Sequence, residues 1–383
     1  MARREKGSGC ITQRPDGTWT GRLTIGYNSD GKQKIKAVYG KTQKEVRQKL
    51  KEIQEDIIKF GEYNINKITM GELIEEWQTS VKRQRLKATS YDRLECTITN
   101  QVLPHMSYLQ ITQITTRDVQ LFINELTDKG YSYSTIKKAY NVVNSALRFA
   151  ANRDYIRKNP CIDIVLPEQI KRETSDIVYF SDEEVEQIVN AATFRYKNGK
   201  YMYKYGPAMV ILLNTGMRVG ELLALKWKNV DFKEKQIHVV ETRHLVKNRN
   251  IEADISYTDM DTSTKTKSSN RYIPINKKTE DALMYFKSIT ANNPYVLSAG
   301  NPNVIRYRNF ARTLENIIER CGIDHGSLHS LRHTFATRLF RQGIDIKVIS
   351  ELLGHSDISI TYDVYVHVIE DQKKKAVDVL NNL

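Results

Sequence analysis

The chain has 383 residues, enough for two or three domains rather than one core. It carries 59 Lys and Arg against 45 Asp and Glu, a net charge of +14, which points to a polyanionic partner, either nucleic acid or an anionic membrane surface. No apolar run of bilayer length, no apolar stretch behind the N-terminal charges and no Cys-x-x-Cys spacing is present. A membrane span, a secretory signal, a disulfide framework and a zinc knuckle are therefore not expected, and the class is a cytoplasmic, multidomain, nucleic-acid-bound protein.

The first predicted elements are strands. PDG (15–17) and NSDG (28–31) are turn signals. Between them Trp19, Gly21, Leu23, Ile25 and Tyr27 alternate with Thr18, Thr20, Arg22 and Thr24, the period of a strand. Ile35, Ala37 and Tyr39 then alternate with Lys34, Lys36 and Val38. A three-stranded antiparallel sheet is expected, with one basic face carrying Arg22, Lys34 and Lys36. Val46, Leu50, Ile53, Ile57 and Phe60 follow as one apolar stripe of a helix. Residues 1–60 hold 14 Lys and Arg against 7 Asp and Glu, half of the chain's excess charge. A two-stranded ribbon fits the major groove of DNA, so this basic sheet is a candidate DNA reader.

Residues 68–160 read as helical. Thr69 and Glu72 make a capping box ahead of Leu73, Ile74 and Trp77. Tyr91, Leu94, Ile98 and Val102 form a second stripe, expected to end near Pro104. Further helices are expected over Asp118–Leu126 and Ser134–Asn152. Lys82, Arg83, Arg85 and Lys87 cluster between helices, and Lys137 and Lys138 add a second basic pair. Residues 166–180 form a charged, Pro-containing linker, and Ser181 with Glu184 opens the next domain with another capping box. Strand-like segments lie at 236–246 and 271–275, separated by a polar stretch that reads as an inserted loop or hairpin. The fold class is thus multidomain α+β: 1–64, a small three-stranded sheet plus helix; 65–165, a helical domain; 181–383, a mostly helical domain with a small antiparallel sheet.

Four stretches of the third domain are dense in groups that bind phosphate or move protons. NTGMRVGELLALKW carries Arg218 and Glu221. TKTKSSNRYIPI carries Lys265 and Lys267. LHSLRHTFATRL carries His329, Arg332 and His333. LLGHSDISITYDVYVHV carries His355, Tyr362 and Tyr365. His329 and His333 have the spacing of a helical metal pair. The intervening Ser330 lacks the acid that a zincin pattern needs, and Arg332 would repel a cation, so no metal is expected. Arginines, a lysine, histidines and a tyrosine together suit a different reaction, phosphodiester transesterification through a phenol. Phenol is a poor nucleophile at neutral pH unless its proton is taken and the phosphate is neutralised. Arginine binds phosphate through a fixed fork that never loses charge, and lysine can protonate a departing oxygen.

These motifs closely resemble those of the tyrosine recombinases, specifically integrases of conjugative transposons and related temperate phages of Gram-positive bacteria. TGMRVGELLALKW, HSLRHTFATRL and LLGHSDISIT…Y are similar to that family's three catalytic boxes, and the likeness runs over essentially the whole chain. It implies an arm-type DNA-binding domain at 1–64, a core-binding domain at 65–165 and a catalytic domain at 181–383 whose C-terminal tail docks in trans, although packing of that tail on its own domain remains open. It implies that Arg218 and Arg332 clamp the scissile phosphate, that His329 handles a proton beside it, that His355 hydrogen-bonds the phosphate and that Glu221 orients the site. Lys265 fits the lysine position best, Lys267 stands second, and His333 supports the fold. Tyr365, ten residues after His355 and followed by Val366-His367, fits the nucleophile. Tyr362 does not fit, and reads as packing or DNA-facing.

The implied activity is site-specific integration and excision of a mobile element through a 3′-phosphotyrosine, with no cofactor. The implied partners are double-stranded DNA at transposon ends and target, a homo-tetramer in the synaptic complex, an excisionase and a host DNA-bending protein. The implied location is the bacterial nucleoid. A non-catalytic DNA-binding relative and a type IB topoisomerase share parts of this pattern and remain as alternatives.

Overall fold

Between Pro15 and Thr18 the chain reverses through the turn that PDG predicts. Asp16 Oδ1 accepts the Thr18 N–H at 2.9 Å. The computed structural model describes residues 9–27, 33–60, 68–168, 178–249, 257–263, 269–290, 292–299, 305–359 and 361–362. The chain divides into two units, Met1–Gln169 and Ile170–Leu383.

In the first unit β1 (Cys10–Gln13), β2 (Trp19–Tyr27) and β3 (Gln33–Gly40) form an antiparallel sheet in that order. The helix α1 (Gln43–Phe60) lays Val46, Leu50 and Ile53 on Leu23, a small core of its own. The register corrects one expectation. Leu23 stands opposite Lys36, whereas Arg22 stands opposite Ala37. Directly paired residues share a face, so Lys36 lies on the helix-covered face with Leu23, partly buried, and Arg22 lies on the open one. The two basic residues do not share a face. Alternation along a single strand defines two faces without saying which faces of neighbouring strands coincide. Ile35 and Tyr39 stand on the open face and are exposed. The side chains of Lys34 and Phe60 lie outside the described residues.

The rest of this unit is helical: α2 (Met70–Trp77), α3 (Arg83–Arg85), α4 (Ala88–Thr97), α5 (Leu103–Met106), α6 (Thr116–Asp128) and α7 (Tyr133–Asn152). The Thr69–Glu72 box forms as expected, with the Thr69 N–H donating to Glu72 Oε2 at 2.8 Å. The second stripe ends near Pro104 as expected, at Met106. A π-helical turn over Ile98–Val102 re-phases the backbone just before Pro104, which has no N–H to offer the ladder. Ile98, Val102, Val119, Phe122, Ile136, Val143 and Leu147 share one core. Arg83, Arg85, Lys87, Lys137 and Lys138 are exposed, and the ammonium of Lys82 lies 4.8 Å over the Trp77 ring.

In the second unit Phe180 is an early anchor. Its side chain is buried, and its N–H donates to Thr334 Oγ1 at 2.9 Å. Its helices are α8 (Asp182–Ala192), α9 (Gly206–Thr215), α10 (Val219–Leu223), α11 (Lys277–Thr290), α12 (Tyr307–Arg320), α13 (Leu328–Arg341) and α14 (Ile346–Leu353). α8 is capped by Ser181 and Glu184 as the sequence predicts. α9 is apolar on nearly every side, and so it runs through the core. β4 (Val230–Asp231), β5 (Gln236–Val239) and β8 (Arg271–Pro274) make a small antiparallel sheet. The insertion is a hairpin of β6 (Glu241–Lys247) and β7 (Tyr257–Ser263). The buried Arg243 grips Asp261 through two bonds of 2.6 and 2.8 Å near the hairpin base. Among the described residues no helix is long and apolar enough to cross a membrane.

Candidate active site

Two helices end in left-handed glycines, and both ends point their carbonyls at arginines. α9 stops at Gly216 (φ +61°) and α14 at Gly354 (φ +68°). Arg332, on α13 and only 4 % exposed, donates from Nη1 to the Gly216 carbonyl at 2.8 Å and from Nη2 to the Leu353 carbonyl at 2.7 Å. Arg218 precedes α10 and reaches the same Leu353 carbonyl from Nη1 at 3.4 Å. Its side chain stays 39 % exposed, open to a ligand.

Glu221 holds Arg218 in place. Its carboxylate accepts the Arg218 backbone N–H at 2.8 Å and Nη1 at 3.0 Å. Burial works to raise the pKa of Glu221, but the hydrogen bonds and charges of Arg271 and Arg218 outweigh it and hold the carboxyl below its ordinary range.

His355 follows the Gly354 cap. Its Nε2 lies 2.9 Å from Arg332 Nη2 and its Nδ1 lies 2.7 Å from the hydroxyl of Thr361, which is fully buried. Burial first, then Arg332, Arg218 and Arg271, push its pKa down to about 4. His329 and His333 lie one turn apart on α13, their rings edge to face at 4.6 Å. His329 is the more open of the two. Burial, with Arg332 and Arg218 behind it, lowers its pKa, and burial with His329 and Arg332 pushes His333 to about 4.

The structure thus brings together Arg218, Glu221, Arg332 and His355, with His329 and His333 on the helix that carries Arg332. Lys265, Lys267 and Tyr365 lie outside the described residues, as does the C-terminal tail. Tyr362 is described and is 46 % exposed. Two partners were missed in the sequence. Thr361 gives no signal of its own. Arg271 gives one, because in RYIPI it falls in phase with Ile273 and Ile275, so a cation occupies a core-facing strand position.

Comparison with known proteins adds the following. Residues 178–372 match the model of the phage integrase family, and residues 69–127 match the phage integrase N-terminal SAM-like domain. A tyrosine recombinase XerC-like protein of Caldanaerobacter subterraneus subsp. tengcongensis is 33 % identical, over 94 % of this chain and 95 % of that protein. The transposase from transposon Tn916 of Enterococcus faecalis is 24 % identical, over 88 % of this chain and 83 % of that one. A solved structure of the Tn1549 transposon integrase in complex with a circular intermediate DNA has a similar fold, with a TM-score of 0.62 at 22 % identity, over 81 % of this chain and 99 % of that one.

Proposed function

The chain belongs to the phage integrase family, the tyrosine recombinases, and on that basis we propose that it integrates and excises a mobile DNA element by breaking and rejoining strands through Tyr365. The phenol oxygen attacks a scissile phosphorus, the bond to the 5′ oxygen breaks, and a 3′-phosphotyrosine and a 5′-hydroxyl result. The phenol gives up its proton to the neutral His329, and the leaving oxygen gains one, for which Lys265 is the proposed donor, with Lys267 second. Arg218, Arg332 and His355 carry the charge of the pentacoordinate transition state, and losing one such donor costs about 10²–10³ in rate. The phosphotyrosine retains the bond energy, so the 5′-hydroxyl of a partner duplex reverses the step without a nucleotide cofactor.

The convergence of Arg218 and Arg332 on one carbonyl, beside His355, carries this reading. Two fixed forks at one point suit a single phosphodiester. Within this reading, residues 1–64 bind arm-type sites, residues 65–165 and 181–383 clamp the crossover site, and four copies act on paired duplexes in the cytoplasm. The C-terminal tail docks on a neighbouring copy, and an excisionase and a DNA-bending protein set direction.

The test is a nicked duplex that traps the covalent intermediate. A denaturant-resistant adduct mapped to Tyr365, and absent from Tyr365→Phe, is expected. An adduct on Tyr362 would keep the reaction and move the nucleophile. No adduct on a duplex the protein binds would leave a non-catalytic DNA-binding protein.

A further inference from the structure

Arg271 stands behind the clamp, out of reach of solvent, at 7 % exposure. Its Nη1 and Nη2 donate to the two oxygens of Glu221 at 3.1 and 2.9 Å. Its Nε donates to the Leu352 carbonyl at 2.6 Å, and Nη1 also reaches the Ser269 carbonyl at 3.4 Å. These contacts lead directly to the groups that face the phosphate. Glu221 is the residue that grips Arg218 by backbone and side chain. Leu352 precedes Leu353, whose carbonyl holds both Arg218 and Arg332.

We propose that Arg271 is a positioning residue for strand cleavage, a single fork that fixes Glu221, the end of α14 and the start of β8, and thereby the aim of Arg218 and Arg332. The chemistry requires an arginine. Gripping both carboxylate oxygens while a third N–H holds a carbonyl needs the planar five-donor guanidinium, and an ammonium at the same place satisfies only part of the set. Arg271 touches none of the reacting atoms. Its effect therefore falls on the rate at saturating DNA and leaves DNA binding unaffected, since the exposed basic surface that supplies affinity lies elsewhere.

This inference rests on the cleavage reading above, so its test has two arms. In the first, full-length wild type, Arg271→Lys and Arg271→Met are compared for duplex affinity and, separately, for the single-turnover rate of adduct formation at saturating protein, with circular dichroism as a check on folding. Arg271→Met should lower the rate about 10²-fold with affinity within threefold, and Arg271→Lys should recover about tenfold of that loss. Should Arg271→Met not fold, Arg271→Lys carries this arm, with a rate about tenfold below wild type at unchanged affinity. A rate loss that only follows the folded fraction or the affinity overturns the proposal, as does a wild-type rate in Arg271→Lys in that case.

The second arm needs no activity. A crystal structure of Arg271→Lys should show Arg218 shifted off Glu221 and the Leu353 carbonyl, and an unchanged clamp overturns the proposal. A wild type that forms no adduct strikes the cleavage reading, whereas the crystallographic arm still decides the role of Arg271.

Discussion

Arg332 Nη2 lies 2.9 Å from His355 Nε2, and a guanidinium can only donate. That imidazole nitrogen is therefore the acceptor, and the ring is neutral with its proton on Nδ1, donated to Thr361 Oγ1 at 2.7 Å. In this form Nε2 has no hydrogen to offer a phosphoryl oxygen. In the proposed reaction a phosphate between the arginines reverses the balance, because its negative charge favours the protonated ring.

Binding of a cleavage-site duplex should thus draw a proton onto His355. Calorimetry near pH 7 in buffers of different ionisation heat should show uptake of up to one proton, lost in His355→Gln. Zero uptake by the wild type would separate His355 from the phosphate. Thr361→Val removes the acceptor that orients the ring and should slow single-turnover cleavage about tenfold, the equivalent of one hydrogen bond, with affinity unchanged.

The same ring makes stability depend on pH. His355 and His333 both sit at about 4 when folded, below the ordinary histidine value of 6.5. Between those values the unfolded chain binds protons that the folded chain does not, so stability is fully present above 6.5 and is lost as pH falls toward 4. Both rings are partly open to solvent, which trims the effect to about 1–2 kcal/mol each. Melting temperature should fall from pH 7 to pH 5, above the range where the depressed carboxylate of Glu221 contributes. The double variant His333→Gln/His355→Gln should flatten that slope, and an unaltered slope would contradict the assignment.

Gly216 is a second test of the clamp. Its φ is +61°, and a Cβ there would meet Phe335 Cδ1 at 2.3 Å and Leu353 Cδ2 at 3.1 Å. Gly216→Ala combines left-handed strain with overpacking against an aromatic ring, a loss of about 2–4 kcal/mol. It also displaces the carbonyl that holds Arg332 Nη1. Thermal unfolding should register the first effect, and cleavage by the remaining folded protein the second. Wild-type stability would mean that the Phe335 ring yields freely.

The sheet register separates two basic residues that look equivalent in sequence. Arg22→Ala, on the open face, should weaken binding to an arm-type duplex and lower the salt slope by about one. Lys36→Ala, on the helix-covered face, should leave both nearly unchanged. Equal losses from the two variants would exclude the open face as the DNA-reading surface.

How much of this was legible beforehand varies with sequence distance. Arg218, Arg332 and His355 were readable because each sits in a short turn-and-helix segment whose local residues dictate its place. Both predicted capping boxes formed, since a box spans only four residues. Arg271 acts on Glu221 from 50 residues away along the chain, and strand alternation marks it only as an odd cation in a core phase. Lys36 was misplaced for a related reason, because a face is shared between strands only once the register is known.

Helix ends aim Arg332 through the carbonyls of Gly216 and Leu353. A carbonyl restrains a guanidinium without cancelling its charge. Among the bonds described here, two arginines, Arg218 and Arg271, share a single carboxylate, Glu221. In the proposed reaction a phosphodiester arriving beside Arg218 and Arg332 relieves the mutual repulsion of these cations. The DNA strand then acts as a counter-ion for the domain that cuts it, so that docking the scissile phosphate and consolidating the domain become one event.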